Sequence, residues 1–216
     1  MKRLIVICEG PTEQEFCHDV LDPHLSRFDI EVFAPVVKKS NGGIVPWASL
    51  RLQIMNHLRE NEAYVTMLVD YYGIKDHFRF PGWEESLNIA NKQERIHFLL
   101  ERMKLDLPEE VRYRFLPYIQ LHEFEGLLFS DIKAFRESFD ESEANLNEIE
   151  STIAQFATPE DINNSPNTAP SKRLIAAIPG YNKIVCGSIL AELIGIEQMR
   201  SKCPLFDEWI GLLEKC

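Results

Sequence analysis

In this 216-residue chain, three apolar runs end on acids. Glu9 follows the run Leu4 to Cys8, and Glu13 stands one helical turn further on. Asp70 follows Tyr64 to Val69, with Asp76 six residues later. His122, Glu123 and Glu125 follow Phe115 to Leu121. Carboxylates gathered at one edge repel one another at neutral pH unless something positive joins them. Oxygen donors with few His or Cys partners suit Mg2+ or Mn2+. Those ions suit phosphoryl transfer, where they stabilise the attacking and leaving oxygens. Each residue also has a plain structural reading. An acid after a strand is often an N-cap or a solvated turn residue. Glu13 could simply complement a helix dipole, Asp76 could be a loop acid, and His122 could be a hydrogen-bonded core histidine.

The elements that must hold these acids are legible in the periodicity. Arg3 to Cys8 and Tyr64 to Val69 read as strands buried on both faces. Phe28 to Val37 and Phe115 to Leu121 supply two more. Between them, Thr12 with Glu15 three residues on forms a capping-box pattern that opens a helix carrying Phe16, Val20 and Leu21 inward. Lys38 to Gly43 is a polar Gly-rich loop. Trp47 to Leu58 and Lys92 to Met103 show helical spacing. Tyr71 to Asn91, rich in aromatics, reads as a loop lining something. Glu123 to Phe129 starts a short helix. This alternation predicts an α/β fold whose four-stranded, mostly parallel sheet is flanked by helices. In such sheets function collects outside the carboxyl ends of the strands. After Asp131 the pattern is helical only: Ser142 to Phe156, a start at Thr158 with Pro159, a polar loop from Asn163 to Ser171, then Lys172 to Ala177, Lys183 to Leu193 and Cys203 to Leu213. The division expected is a core over 1–131 and a helical extension over 132–216 packed on it.

Composition narrows the classes. Hydrophobic residues make up 45% and charged residues 26%, as in a globular protein rather than a disordered one. No apolar stretch reaches the roughly 18 residues of a membrane helix, so the cytoplasm is the expected location. Five cysteines, an odd number without a CxxC pair, fit reduced thiols better than a zinc site or disulfide framework. The net charge of -11 argues against a simple electrostatic DNA binder. The charge is uneven, however. Glu137 to Ser171 holds eight acids and no Lys or Arg, and outside it 26 acids face 23 bases. Immediately after the acidic segment come Lys172 and Arg173, then Lys183; these read as phosphate contacts, as ordinary helix-surface charges or as partners for the nearby acids. Tyr71, Tyr72, Phe78, Phe80 and Trp83 could stack on the bases of a single strand or pack their loop. No GxxxxGK[ST], GxGxxG or GxSxG occurs, which disfavours a P-loop, a dinucleotide site and a serine-hydrolase elbow.

The strand leading into Glu9, Gly10, Pro11, Thr12 and Glu13, with a second strand ending in Asp70, resembles the Toprim domain of topoisomerases, primases and overcoming-lysogenization-defect nucleases. Three segments, VICEGPTEQEF, LHEFEGLLFSD and TPEDINNSPNTAPSKRL with the following PGYNK, are similar to a bacterial family of uncharacterised Toprim-like proteins, often encoded beside an AAA/ABC-type ATPase in apparent defence loci. The resemblance implies that Glu9 is the Toprim glutamate, a metal ligand or general acid/base, and that Asp70 is the first aspartate of the acidic pair. Tyr72 stands where the second aspartate would be, so Glu13, Asp76, Glu123 or Glu125 would have to complete the site. The expectation is a Mg2+- or Mn2+-dependent nuclease of a prokaryotic, phage-defence type with an ATPase partner. Glu9, Asp70, Glu123 and Glu125 would hold the ion, and Glu13 would be a further ligand or base. Two other expectations are a regulatory or nucleic-acid-binding subunit with a degenerate site, and phosphoryl transfer on a small phosphate. The chain could also form a homodimer.

Overall fold

The first strand, β1 (Lys2–Cys8), is the Leu/Ile/Val run, and Leu4 through Cys8 are all 1% exposed or less. Residues buried so completely on both faces need helices above and below the sheet. In the computed structural model, which describes residues 1–38, 43–60, 62–163 and 167–216, β1 lies between β2 (Ile30–Phe33) and β3 (Tyr64–Asp70). All pairings are parallel, in the order β2-β1-β3-β4, with β4 at Phe115–Leu116 and β5 at Ile119–Gln120 also on β3. The register places Asp70 beside Gln120. The acids after these strands therefore emerge at one edge, as the periodicity predicts.

The helices in chain order are α1 (Pro11–Phe16), α2 (Asp22–Leu25), α3 (Trp47–Leu58), α4 (Trp83–Ser86), α5 (Lys92–Leu105), α6 (Glu109–Arg112), α7 (Ile132–Ser138), α8 (Leu146–Gln155), α9 (Pro170–Ala177), α10 (Lys183–Lys202) and α11 (Pro204–Leu213). A π-helical turn, Cys17–Leu21, joins α1 to α2. Helix α3 buries Trp47, Leu50, Ile54 and Leu58, the residues whose spacing marks it as a helix. The fold class is thus the expected one: a parallel sheet flanked by helices, with helices at the C-terminus.

Several boundaries differ, each for a local reason. The strand expected over Phe28 to Val37 shrinks to Ile30–Phe33, because Ser26–Phe28 closes a 3-10 turn and Asp29 turns the chain at φ 61°; only Val36 returns, as an isolated bridge to Cys8. The fourth expected strand is split into β4 and β5 around Pro117, which has no N–H for a ladder. Helix α1 is opened by Gly10 rather than Thr12, with Pro11 in its first turn and Glu13 accepting the Gly10 N–H. Glu123 to Phe129 is realised as a 3-10 helix, Phe124–Ser130. Helix α7 was not foreseen, and α8 begins at Leu146 under an Asn145 cap. Helix α10 continues past Leu193 through a kink at Gly195, whose φ of 72° suits glycine. Most of the loop expected over Lys38 to Gly43, and residues 164–166 of that over Asn163 to Ser171, lie outside the described residues.

The C-terminal helices lock onto the sheet through α11. Trp209 is 2% exposed, stacks on Tyr118 at 4.4 Å, and donates its indole N–H to Thr66 of β3 at 2.9 Å. Burying such a ring removes roughly 150–250 Å2 from water, about 4–6 kcal/mol before entropy is counted. Helix α11 starts on Glu160, whose buried carboxylate accepts the Leu205 and Phe206 N–H groups at 3.1 and 2.9 Å. No described helix is long and apolar enough to cross a membrane.

Candidate metal centre

The sheet edge brings five carboxylates into one electrostatic neighbourhood: those of Glu9, Glu13, Asp70, Glu123 and Glu125. Glu9 leaves the end of β1, where its N–H is fixed by the Leu68 carbonyl of β3 at 3.0 Å. Its carboxylate accepts the Asp70 N–H at 2.9 Å and also the Ile44 N–H. The chain passes close over it: a Cβ on Gly73 would stand 3.4 Å from Glu9 Oε1 and 3.1 Å from Ile44 Cγ2. Asp70 ends β3, and its Oδ1 accepts the Phe124 N–H at 2.9 Å, which ties the third acidic segment to the second. Glu123 Oε2 accepts the Ser171 N–H at 3.0 Å, in the first turn of α9. Glu125 meets Lys183, at the start of α10, at 2.8 Å. The acids therefore come from the end of β1, α1, β3 and the segment after β5, held by the backbone N–H groups of Gly10, Ile44, Asp70, Phe124 and Ser171.

Charge is poorly balanced here. Among the described residues, the one ion pair formed by these five acids is that of Glu125 with Lys183. Burial first, then the Glu9, Glu13, Glu125 and Glu123 carboxylates, hold the Asp70 carboxyl well above its ordinary range. Glu9 is raised mainly by burial and by Glu125, against the pull of the Asp70 and Ile44 N–H groups. Glu13 is pushed up to about 7, by burial and by its neighbours Glu9 and Glu125. At Lys183 burial works against the charge, but the Glu125, Glu123 and Asp70 carboxylates outweigh it and raise its pKa. Glu9 and Glu123 are half-buried, which leaves the group its access to solvent, while Glu13 and Glu125 are buried and the Asp70 carboxyl is enclosed behind them. This donor set fits a hard divalent ion, since it is all oxygen, excess in negative charge and reachable. The side chains would have to draw closer around it. Among the described residues, the trio whose ligand atoms already lie within 4.8 Å of one another is Glu15, His18 and Asp19, spanning the end of α1 and the π-helical turn after it.

The remaining expected residues are placed as follows. His122 is buried at the lip of the group with φ 69°; burial and Lys92 hold it down at about 4, and its Nε2 lies 3.1 Å from Lys92 Nζ. Asp76 is not part of the cluster's bonding and accepts the Trp83 indole N–H at 2.8 Å. Arg173, expected at phosphate, is turned into the helical layer: it donates to the Thr168 carbonyl and Thr152 hydroxyl and covers Phe156. Lys172 is exposed on α9. Of the aromatic loop, Phe80 and Trp83 are core, Tyr71 packs on Trp83 at 5.5 Å, and Tyr72 is 44% exposed. Cys8 is buried core, as expected, with its thiol 3.7 Å from that of Cys17, and all five cysteines are free. Sequence reasoning missed Lys92, which has no motif around it. It also missed the cradle of backbone N–H groups, which no side-chain pattern reveals.

A family model described as a domain of unknown function, DUF4276, matches residues 8–214. The chain belongs to that family. No curated protein and no solved structure matches it.

Proposed function

We propose that this DUF4276 member is a Toprim-like, Mg2+- or Mn2+-dependent nuclease that hydrolyses phosphodiester bonds of nucleic acid. The observation that supports it most is the gathering of five carboxylates from separate segments at the strand ends with one lysine between them. Buried negative charge of that density costs stability unless it binds protons or a cation. A fold retains it when the cation does something.

Glu9, Asp70, Glu123 and Glu125 would hold the ion, the first three having free lone pairs beyond their bonds to backbone N–H groups and Glu125 beyond its bond to Lys183. Bound there, a divalent ion supplies Lewis-acid stabilisation of phosphoryl oxygens and eases ionisation of water. Glu13, with its pKa near 7, is suited to take a proton from attacking water and to give it up again near neutrality. Lys183 offers its ammonium to a phosphate oxygen at the mouth of the group, since its side chain is 46% exposed. The setting in prokaryotic defence beside an AAA/ABC-type ATPase, and the cytoplasmic location, are parts of the same proposal and rest on the resemblance of the three sequence blocks.

Mg2+ and Mn2+ titrations followed by calorimetry and thermal shift, repeated on Glu9→Ala and Asp70→Ala, test the reading, together with cleavage assays on labelled DNA and RNA. Cation binding that both variants abolish, with cleavage lost in parallel, supports it. One observation favours a second reading: Tyr72 occupies the place of the second Toprim aspartate and points its side chain to solvent. A regulatory subunit with a vestigial site would then show no response to millimolar cation.

A further inference from the structure

Tyr72 and Lys92 are both fastened to His122. The Tyr72 N–H donates to the His122 carbonyl at 3.2 Å, and Lys92 Nζ lies 3.1 Å from His122 Nε2. An ammonium has no acceptor to offer, so it is the donor and the imidazole nitrogen accepts. His122 itself sits at φ 69°, a backbone region that residues other than glycine rarely adopt. Its neighbour Glu123 is one of the gathered acids, and Gly73, next to Tyr72, lies against Glu9. An exposed tyrosine and an exposed lysine are thus both bonded to the residue that precedes Glu123. The other aromatics of the loop have packing partners: Phe80 lies on Trp47, Tyr71 on Trp83, and Phe78 is half-buried against the core. Packing therefore does not account for the 44% exposure of Tyr72.

We propose that Tyr72 and Lys92 form a landing platform for single-stranded nucleic acid, with an unpaired base stacked on the Tyr72 ring and its phosphate on Lys92. The inference rests on the nucleic-acid reading above and narrows it to a substrate class. A base in a duplex has both faces covered by its neighbours and cannot lie on a ring at the rim. An unpaired base can, whatever its identity, since every base has a π-face. The platform also supplies what an acidic protein lacks for gripping a polyanion: one fixed cation beside the ion site, with Lys183 on the Glu125 side.

Fluorescence anisotropy with a labelled oligothymidine of about a dozen nucleotides, and with the same length as duplex, tests this in EDTA and in Ca2+. The expected result is single strand binding at least tenfold tighter than duplex. Tyr72→Ala weakens it roughly five- to a hundredfold while Tyr72→Trp retains it. Lys92→Ala makes the salt slope shallower by about 0.7, the loss of one phosphate contact. Lys92→Ala removes the partner of the buried His122 ring, so circular dichroism and thermal melts establish that each variant is folded before its binding is compared, and Lys92→Gln, which can still donate to the ring without the charge, is measured beside it. Equal affinity for duplex, wild-type binding by Tyr72→Ala, or no binding of either oligonucleotide overturns the platform. Tyr72-dependent binding without any cation response would instead sink the metal centre and leave the platform standing. Cation response lost in Glu9→Ala and Asp70→Ala, with binding indifferent to Tyr72, would do the reverse.

Discussion

Replacing Glu13 by glutamine isolates the cost of crowding charge at the sheet edge. Glu13 is 7% exposed and its Oε2 accepts the Gly10 N–H at 2.9 Å. A glutamine carbonyl can accept the same bond in the same volume, so the substitution removes charge and little else. The carboxyl moves from its ordinary 4.5 to about 7 on folding. At roughly 1.36 kcal/mol per pKa unit, that corresponds to about 3 kcal/mol. The sign follows from the raised folded value. Between 4.5 and 7 the folded chain binds more protons than the unfolded one, so stability is highest below 4.5 and falls as pH rises to 7. Glu13→Gln is therefore expected to match wild type near pH 4.5 and to exceed it at pH 8. The gain is at most about 3 kcal/mol, which for a chain of this size is about 6–12 °C in Tm. Added Mg2+ or Mn2+ should raise the wild-type Tm more than that of the variant, closing the gap. Thermal denaturation across pH, in EDTA and with each ion, reads all of this. A variant no more stable than wild type at pH 8, or a gain of equal size at pH 4.5, would refute the reasoning.

Other consequences are as concrete. Glu160→Ala leaves the Leu205 and Phe206 N–H groups buried without an acceptor and is expected to cost about 2–4 kcal/mol by chemical denaturation. Lys183→Met removes the half-exposed partner of Glu125 and should lower stability in EDTA by about 1 kcal/mol, a deficit that divalent cation narrows in a thermal-shift assay. Gly82→Ala puts a methyl 2.6 Å from Arg102 Cγ and 2.8 Å from Phe98 Cε1 at φ 74°, and a loss of about 1–3 kcal/mol is expected in Tm or denaturant midpoint. In a thiol-labelling time course Cys186, half-buried, should react first, while Cys8 and Cys17, both 0% exposed, wait for unfolding.

What the sequence determined by itself is whatever depends on neighbours along the chain. Trp47 to Leu58 forms a helix because its apolar residues recur at three and four. Leu4 to Cys8 and Tyr64 to Val69 form interior strands because continuous β-branched and aliphatic runs bury both faces. Strands alternating with helices then force parallel pairing, and parallel pairing sends Glu9, Asp70 and Glu123 to a common edge. Contacts between distant segments were decided by the tertiary structure. Thr158 and Pro159, read as the start of a helix, open only a single 3-10 turn, Pro159–Asp161, and the role of Glu160 became visible only when α11, 45 residues later, set its N-terminus on that carboxylate. Arg173 could be read as a phosphate contact or as a surface charge, and its bond to Thr152 of α8 and its place over Phe156, just after that helix, became visible only in the packed structure. Lys92 and Tyr72 had no shared motif until His122, in a backbone conformation that propensity does not foresee, bridged them. Periodicity records which face of an element avoids water. It carries no record of which polar atom will meet which across the chain, because that partner is fixed only when the elements pack.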